Sequence, residues 1–245
     1  MGFYEEISKY YDYIFPTGDD QLNFVKSTSG HPPKRILDVA CGSGGYTLEL
    51  AKSGYQVTAV DLDEAMVQMA NRKIEEQSIN AKVFKCNMLE LTDRLSGKYE
   101  CIFCIGNSIV HLGSKSEILR ALKQMYSLME PGGALLLQII NYDRVIKYGV
   151  NELPTIKNEK IGLEFIRKYS YDRTQNLIHF ETVLIVENSG IKERYENSIN
   201  LFPLLSSDLE EILKEAGFKS IILYGDFSYS PFTNDSYMLV TEARK

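Results

Sequence analysis

The chain is short of cysteine, of basic charge and of long apolar runs, and each shortage removes a class of protein. Its four cysteines, Cys41, Cys86, Cys101 and Cys104, fall in or beside expected strands, which suits reduced buried thiols rather than a disulfide framework. Cys101-x-x-Cys104 has redox or zinc spacing, but it lies inside the apolar run 99–105 without a second ligand pair, so no metal is assigned. Lys and Arg total 27 against 33 Asp and Glu, and the net charge of -6 argues against an electrostatic grip on nucleic acid or anionic lipid. The longest apolar run, residues 134–140 with Gln138 inside it, is far too short to cross a bilayer. Residues 1–6 are acidic and lack the basic and apolar regions of a signal peptide, so a cytoplasmic protein is expected. Internal repeats and low-complexity tracts are also missing.

What is present is organised around residues 36–45. An apolar run, Ile36-Leu37-Asp38-Val39, meets Ala40-Cys41-Gly42-Ser43-Gly44-Gly45, and Tyr46 onward reads as a helix. Strand, glycine turn and helix in that order make a nucleotide-binding corner, in which Gly42 and Gly44 let the backbone approach a ligand. Thr47 stands where a dinucleotide fingerprint requires its third glycine, and no Lys-Ser or Lys-Thr pair marks a phosphate loop. Asp38 would repel a phosphate and attract an ammonium group. The ligand expected is therefore a positively charged nucleoside, of which S-adenosylmethionine is one.

Asp61 ends a second strand, 56–60, about twenty residues past the glycines, where its carboxylate can accept ribose hydroxyls; Leu62 beside it joins the cofactor set. A third strand, 82–86, runs into Asn87-Met88-Leu89, with the Asn87 amide or the Met88 backbone set for an adenine edge. A fourth, 99–105, ends in Gly106-Asn107-Ser108 and His111, beside the reacting group: Gly106 permits close approach, Asn107 offers donor and acceptor, and His111 orients or deprotonates an acceptor. Helix 116–128 leads through a Pro-Gly-Gly turn to a fifth strand, 134–140. Residues 145–203 change character, with polar β-rich runs at 163–171, 177–186 and 195–201 separated by turn signals. Helix 206–216, with Ser207 or Asp208 near its cap, and strands at 218–224 and 236–241 complete the chain. The fold expected is α/β, a doubly wound, mostly parallel seven-stranded sheet made of 1–144 and 204–245, with an antiparallel β insertion at 145–203 closing over the site. Near the N-terminus, Tyr10, Tyr11, Tyr13 and Phe15 either pack a terminal helix onto the body or form an aromatic lid, with Tyr11 the member assigned to cofactor and acceptor.

With these residues in view the chain resembles class I S-adenosylmethionine-dependent methyltransferases, and within them the glycine and sarcosine N-methyltransferase branch. The resemblance rests on Leu37-Asp38-Val39-Ala40-Cys41-Gly42-Ser43-Gly44, the strand ending in Asp61, Asn87-Met88-Leu89, Gly106-Asn107-Ser108 with His111-Leu112, and Asn141-Tyr142-Asp143. It implies that Asp38 and residues 40–44 hold the methionine part, Asp61 the ribose and Asn87-Met88 the adenine, with Asn107 near both sulfonium and acceptor. One departure matters. The glycine enzymes carry an Arg immediately before Asn-Tyr-Asp to clamp the substrate carboxylate, and this chain has Ile140. Glycine is thereby a doubtful substrate, and Arg144, Arg167 and Arg173 are candidate replacements.

The activity expected is methyl transfer from S-adenosylmethionine to a nitrogen or oxygen of a small molecule, with Asn107, His111 and Tyr11 as catalytic residues. The alternatives are a noncatalytic module that keeps the cofactor as a ligand and a nicotinamide-dependent oxidoreductase, the second opposed by Thr47. Nucleic-acid methylation is disfavoured by the charge and by the lack of an Asn/Asp-Pro-Pro-Tyr motif after the fourth strand.

Overall fold

A computed structural model describes residues 7–188 and 190–245; the acidic stretch 1–6 lies outside the described residues. The N-terminal segment forms a four-residue helix α1 (Tyr11–Ile14) and, after the Pro16-Thr17-Gly18 break, helix α2 (Asp19–Ser29). Then strands and helices alternate: β1 (Arg35–Val39), α3 (Gly45–Lys52), β2 (Gln56–Asp61), α4 (Glu64–Glu76), β3 (Ala81–Lys85), the short α5 (Leu91–Arg94), β4 (Tyr99–Cys104), α6 (Lys115–Leu128), β5 (Met129–Ile140) and α7 (Tyr142–Tyr148). Four strands follow, β6 (Glu152–Asn158), β7 (Leu163–Asp172), β8 (Leu177–Asn188) and β9 (Ile191–Leu201), before α8 (Ser206–Ala216), β10 (Ser220–Tyr224) and β11 (Met238–Arg244).

The main sheet has the order β10-β11-β5-β4-β1-β2-β3. Strand β1 pairs in parallel with both β2 and β4, and β11 runs antiparallel to β5 and β10. Apolar runs such as Ile102-Phe103-Cys104 and 134–137 are buried because helices cover both faces, which is why these strands lack polar alternation. The chain leaves β1 toward β2 on one side and returns to β4 on the other. That reversal opens a crevice at the carboxyl ends of β1 and β4, the usual ligand position in such sheets.

Strands β6 to β9 form a separate antiparallel sheet in sequential order. Three of its strands lie at the β-rich runs expected from sequence; the fourth, β6, is a polar edge strand containing Pro154, whose pairing with β7 slips between Leu153 and Ile156 and which carries no such signal. Strand β9 starts four residues before the expected run 195–201, because Ile191-Lys192-Glu193-Arg194 are exposed and carry no apolar alternation. On its inner side Leu163, Phe165, Leu184 and Val186 bury Ile7 and Ile14 of the N-terminal segment, forming a small core of its own.

Candidate functional site

Two backbone exceptions mark the crevice. Ala40 after β1 and Asn107 after β4 both have positive φ, 62° and 68°, a conformation that costs a non-glycine residue energy and turns each chain sharply across the strand ends. Between them, Gly42 (φ 55°) lies under Tyr11, whose hydroxyl stands 2.6 Å from where a β-carbon would be. Gly44 (φ 81°) lets Ala70 of α4 approach equally closely, at 2.8 Å. A side chain at either position would be excluded twice, by backbone conformation and by space.

Asp38 is 3% exposed, and its carboxylate accepts a hydrogen bond from the Thr47 hydroxyl at 2.7 Å. Burial, with Asp61 nearby adding repulsion, pushes its pKa up to about 7 despite that bond. Thr47 thus has a positive reason to replace a glycine: it satisfies the buried acid. Asp61 accepts from the Gly42 N–H at 2.8 Å and the Asp63 N–H at 2.9 Å, and so ties the glycine loop to the end of β2. Burial raises its pKa as well. Cys41 is held as a neutral thiol by burial and by the two carboxylates.

Across the crevice, Asn107 is more constrained than a simple donor and acceptor. Its side-chain oxygen accepts from the Ile140 N–H at 2.9 Å, and its amide nitrogen donates to the Tyr142 hydroxyl at 3.0 Å. Gln138, the polar residue inside an apolar strand, accepts from the Gly106 N–H at 2.8 Å through its side chain and from the Asn107 N–H at 3.1 Å through its carbonyl. A lone amide in an otherwise apolar strand was the sequence signal for this tie. His111 lies open to solvent at the crevice, while the protein packed around it lowers its pKa below the ordinary histidine value. It is therefore neutral at pH 7 and able to accept a proton.

Asn141-Tyr142-Asp143 proves to be a structural knot. Asn141 caps α7 through the Arg144 N–H and donates to the carbonyls of Thr233, Asn234 and Ser236. Tyr142, fully buried, holds Asn107. Asp143 accepts from the Ser206 N–H at 2.9 Å and so caps α8 from a distance, in place of the local Ser207 or Asp208 cap expected from sequence.

A cavity of 390 Å³ gathers Tyr11, Asp38, Ala40, Cys41, Gly106, Asn107 and His111 into its walls. Its roof is Phe165, Arg167, Tyr169 and Phe180 of the smaller sheet, and Leu153 and Ile140 complete it. Gly42, Gly44, Asp61, Leu62, Asn87 and Met88 are not among the lining residues; they follow the outer ends of β1, β2 and β3. Leu62 is 62% exposed there. Asn87 accepts the Leu89 N–H at 3.0 Å through its side-chain oxygen, which fixes the orientation of the amide. The aromatic cluster divides between the two roles considered for it. Tyr11 and Phe15 line the cavity, whereas Tyr10 bonds Glu193 on β9 and Tyr13 is exposed. Asp12 binds both the Ser43 hydroxyl and Lys73, clamping α1 onto the glycine loop. Among the described residues no group of three or more His, Cys, Asp or Glu is placed to hold a metal ion, and no helix is long and apolar enough to cross a membrane.

Residues 36–133 match the family described as a methyltransferase domain. Over 250 residues the chain is 25% identical to a glycine/sarcosine N-methyltransferase of Aphanothece halophytica, covering 100% of this chain and 88% of that protein. A 130-residue stretch is 37% identical to glycine N-methyltransferase of Mus musculus, covering 49% of this chain and 44% of that one. The fold is shared with an S-adenosylmethionine-dependent methyltransferase from Clostridium acetobutylicum, with a TM-score of 0.82, 15% identity and 99% of each chain covered. Sheet order, glycine corner and these matches define a class I methyltransferase. Together these matches support an S-adenosylmethionine-dependent methyltransferase of that class, with S-adenosylmethionine as its cofactor. The buried Asp38 carboxylate fits that ligand, because it faces the cavity without a cationic partner and the cofactor carries an ammonium group.

Proposed function

We propose that the protein transfers a methyl group to a nitrogen or oxygen of a small-molecule acceptor by in-line displacement, with nitrogen favoured by its N-methyltransferase relatives. The observation that carries this reading is the single cavity walled on one side by Asp38 and the glycine loop and on the other by Asn107 and His111. When bound, the cofactor supplies a methyl already activated by its sulfonium. The chain then has to align the nucleophile at about 3 Å and keep water out. In this reading Asp38 and residues 40–44 hold the methionine part, Asp61 the ribose, and Leu62, Asn87 and Met88 the adenine. Gly106, Asn107 and Tyr11 stand at the reacting end. A neutral amine needs little proton transfer, whereas a hydroxyl acceptor calls on neutral His111 as base.

Residues 1–144 and 204–245 form the cofactor-binding body in this proposal, and 145–203 the acceptor cap, supported by the five cap residues, Leu153, Phe165, Arg167, Tyr169 and Phe180, that line the cavity. The net charge of -6 supports small acceptors rather than nucleic acid, and four unpaired thiols fit a cytoplasmic setting. Calorimetric titration with S-adenosylhomocysteine tests the cofactor half, with binding expected in the micromolar range or tighter. A panel of amines, amino acids and phenols tests the acceptor half. A folded chain that binds no S-adenosylhomocysteine, or binds it and methylates nothing, overturns the corresponding half.

A further inference from the structure

We infer that Arg167 is the anion-recognition residue of the acceptor site, and that the molecule methylated carries a carboxylate. The inference rests on reading the cavity as the acceptor pocket. Arg167 is the one cationic side chain among the described residues that line it. It stands in the inward row of β7, between Phe165 and Tyr169, opposite Leu153 on one strand and Thr182 on the other. That row is otherwise apolar or aromatic, so a guanidinium there is costly without a partner.

The partner within the protein is incomplete. One terminal nitrogen of Arg167 donates to the Pro154 carbonyl at 2.7 Å. That carbonyl is available because the β6–β7 pairing slips between Leu153 and Ile156. The bond orients the fork but brings no negative charge. Nε is shut away from water with no acceptor, and no carboxylate pairs with Arg167 among the described residues. Arg35 is answered by Glu100 and Glu130, Arg194 by Glu196 and Arg244 by Glu242, while Arg72, Arg94 and Arg120 are exposed and do not line the cavity. The remaining candidates fall away, since Arg144 lies over the exposed Tyr237 ring at 4.4 Å and Arg173 is exposed in the turn after β7.

Ile140, where the glycine enzymes carry their clamp, lines the same cavity from below. The positive charge has moved from the floor to the roof. Tyr169, the next inward residue after Arg167, has its ring 6.4 Å from that of Tyr142, whose hydroxyl meets Asn107. An anion on Arg167 therefore stands within about two side chains of Asn107, close enough for carboxylate and nucleophile to belong to one small molecule. A planar fork suits a carboxylate, and Phe165 and Phe180 offer apolar surface to the rest of the acceptor.

The test titrates acetate and phenylacetate, and their amides, into the protein saturated with S-adenosylhomocysteine, and compares methylation of amino acids with that of the matching amino amides. Carboxylates should bind and be methylated on the order of 10- to 100-fold better than amides in the wild type. Arg167→Gln should erase that preference, and Arg167→Lys should restore part of it as a point charge. Unchanged affinity of Arg167→Gln for S-adenosylhomocysteine certifies its fold. Equal use of carboxylates and amides by the wild type, or a preference that survives Arg167→Gln, overturns the inference. If S-adenosylhomocysteine fails to bind while carboxylates still discriminate through Arg167, the cofactor reading falls and the anion site stands.

Discussion

The corner at the end of β1 and the roof formed by β7 face each other across one cavity, yet they treat charge in opposite ways. At the corner, negative charge is buried with neutral partners: Asp38 has the Thr47 hydroxyl and Asp61 has two backbone N–H groups. At the roof, positive charge is half-buried with a single neutral carbonyl. Both arrangements are poised for an incoming counter-ion, because hydrogen bonds from neutral groups offset only part of the cost of desolvating a charge. The corner suits the ammonium group of the cofactor, and the roof suits an anionic group on the proposed acceptor.

Neutralising the corner should have the largest effect. Asp38→Asn keeps the shape and a partner for Thr47 but removes the charge, and S-adenosylhomocysteine affinity is expected to fall by 1.5–3 kcal/mol, roughly 10- to 150-fold. Calorimetry at pH 8 measures it, and undiminished affinity would show that Asp38 acts only as a strut. The pH dependence sharpens the point. Asp38 has a folded pKa of about 7 against about 3.9 in an unfolded chain, so between those values the folded protein holds a proton that the unfolded chain has released. Its stabilising contribution is full below pH about 4 and is lost as pH rises through 7. Ligand binding needs the ionised form and runs the other way, strengthening about tenfold from pH 6 to pH 8. Both trends should vanish in Asp38→Asn.

The corner could be read from the chain because its strand, its glycine turn, Thr47 and Asp61 all lie within residues 36–61, even though Tyr11, Asp12 and Ala70 pack onto it from outside. An apolar run, two glycines, Thr47 and Asp61 interact with one another across short separations, and each leaves a local trace. The roof had no such economy of distance. The row Leu163, Phe165, Arg167, Tyr169 alternates visibly, but which way it faces depends on register with β6 and β8 and on Ile7 and Ile14 filling the space beside it. Sequence alone does not separate Arg167 from Arg144 and Arg173; the register of β7 does. The same distance hid the Asp143 cap on Ser206, 63 positions away, and the second duty of Asn107 in holding Ile140. Strand β6 escaped because Pro154 and its polar neighbours carry no periodic signal, though its displaced carbonyl is what aims Arg167.

Between corner and roof runs the seam made by Asn141-Tyr142-Asp143, and cutting it should cost stability rather than chemistry first. Asn141 is 1% exposed and serves one N–H and three carbonyls. Asn141→Ala removes a helix cap and strands buried acceptors, an expected loss of about 2–3 kcal/mol. In a chain of this size that lowers the melting temperature by roughly 5–10 °C. Calorimetry or circular dichroism measures the shift. A melting temperature within 1 °C of wild type would mean that α7 and the carbonyls of Thr233, Asn234 and Ser236 do not depend on this amide.

The smallest effect belongs to the clamp that brings the N-terminal segment from the roof down to the corner. Asp12 is 48% exposed, and its pair with Lys73 is of the surface kind that contributes only about 0.2–1 kcal/mol. Asp12→Ala should therefore leave the melting temperature nearly unchanged. Its second bond, to Ser43 in the glycine loop, gives the clamp a different readout. Tyr11, the neighbour of Asp12, covers Gly42, so loosening the clamp uncovers the loop proposed to hold the cofactor. Dissociation of S-adenosylhomocysteine, followed by stopped flow, is expected to quicken by about two- to fivefold at low salt, with less change at high salt, where the wild-type pair is already screened. An unchanged dissociation rate would make α1 part of the roof alone, held by Ile7, Ile14 and the Phe15–Phe165 contact, with no share in closing the corner.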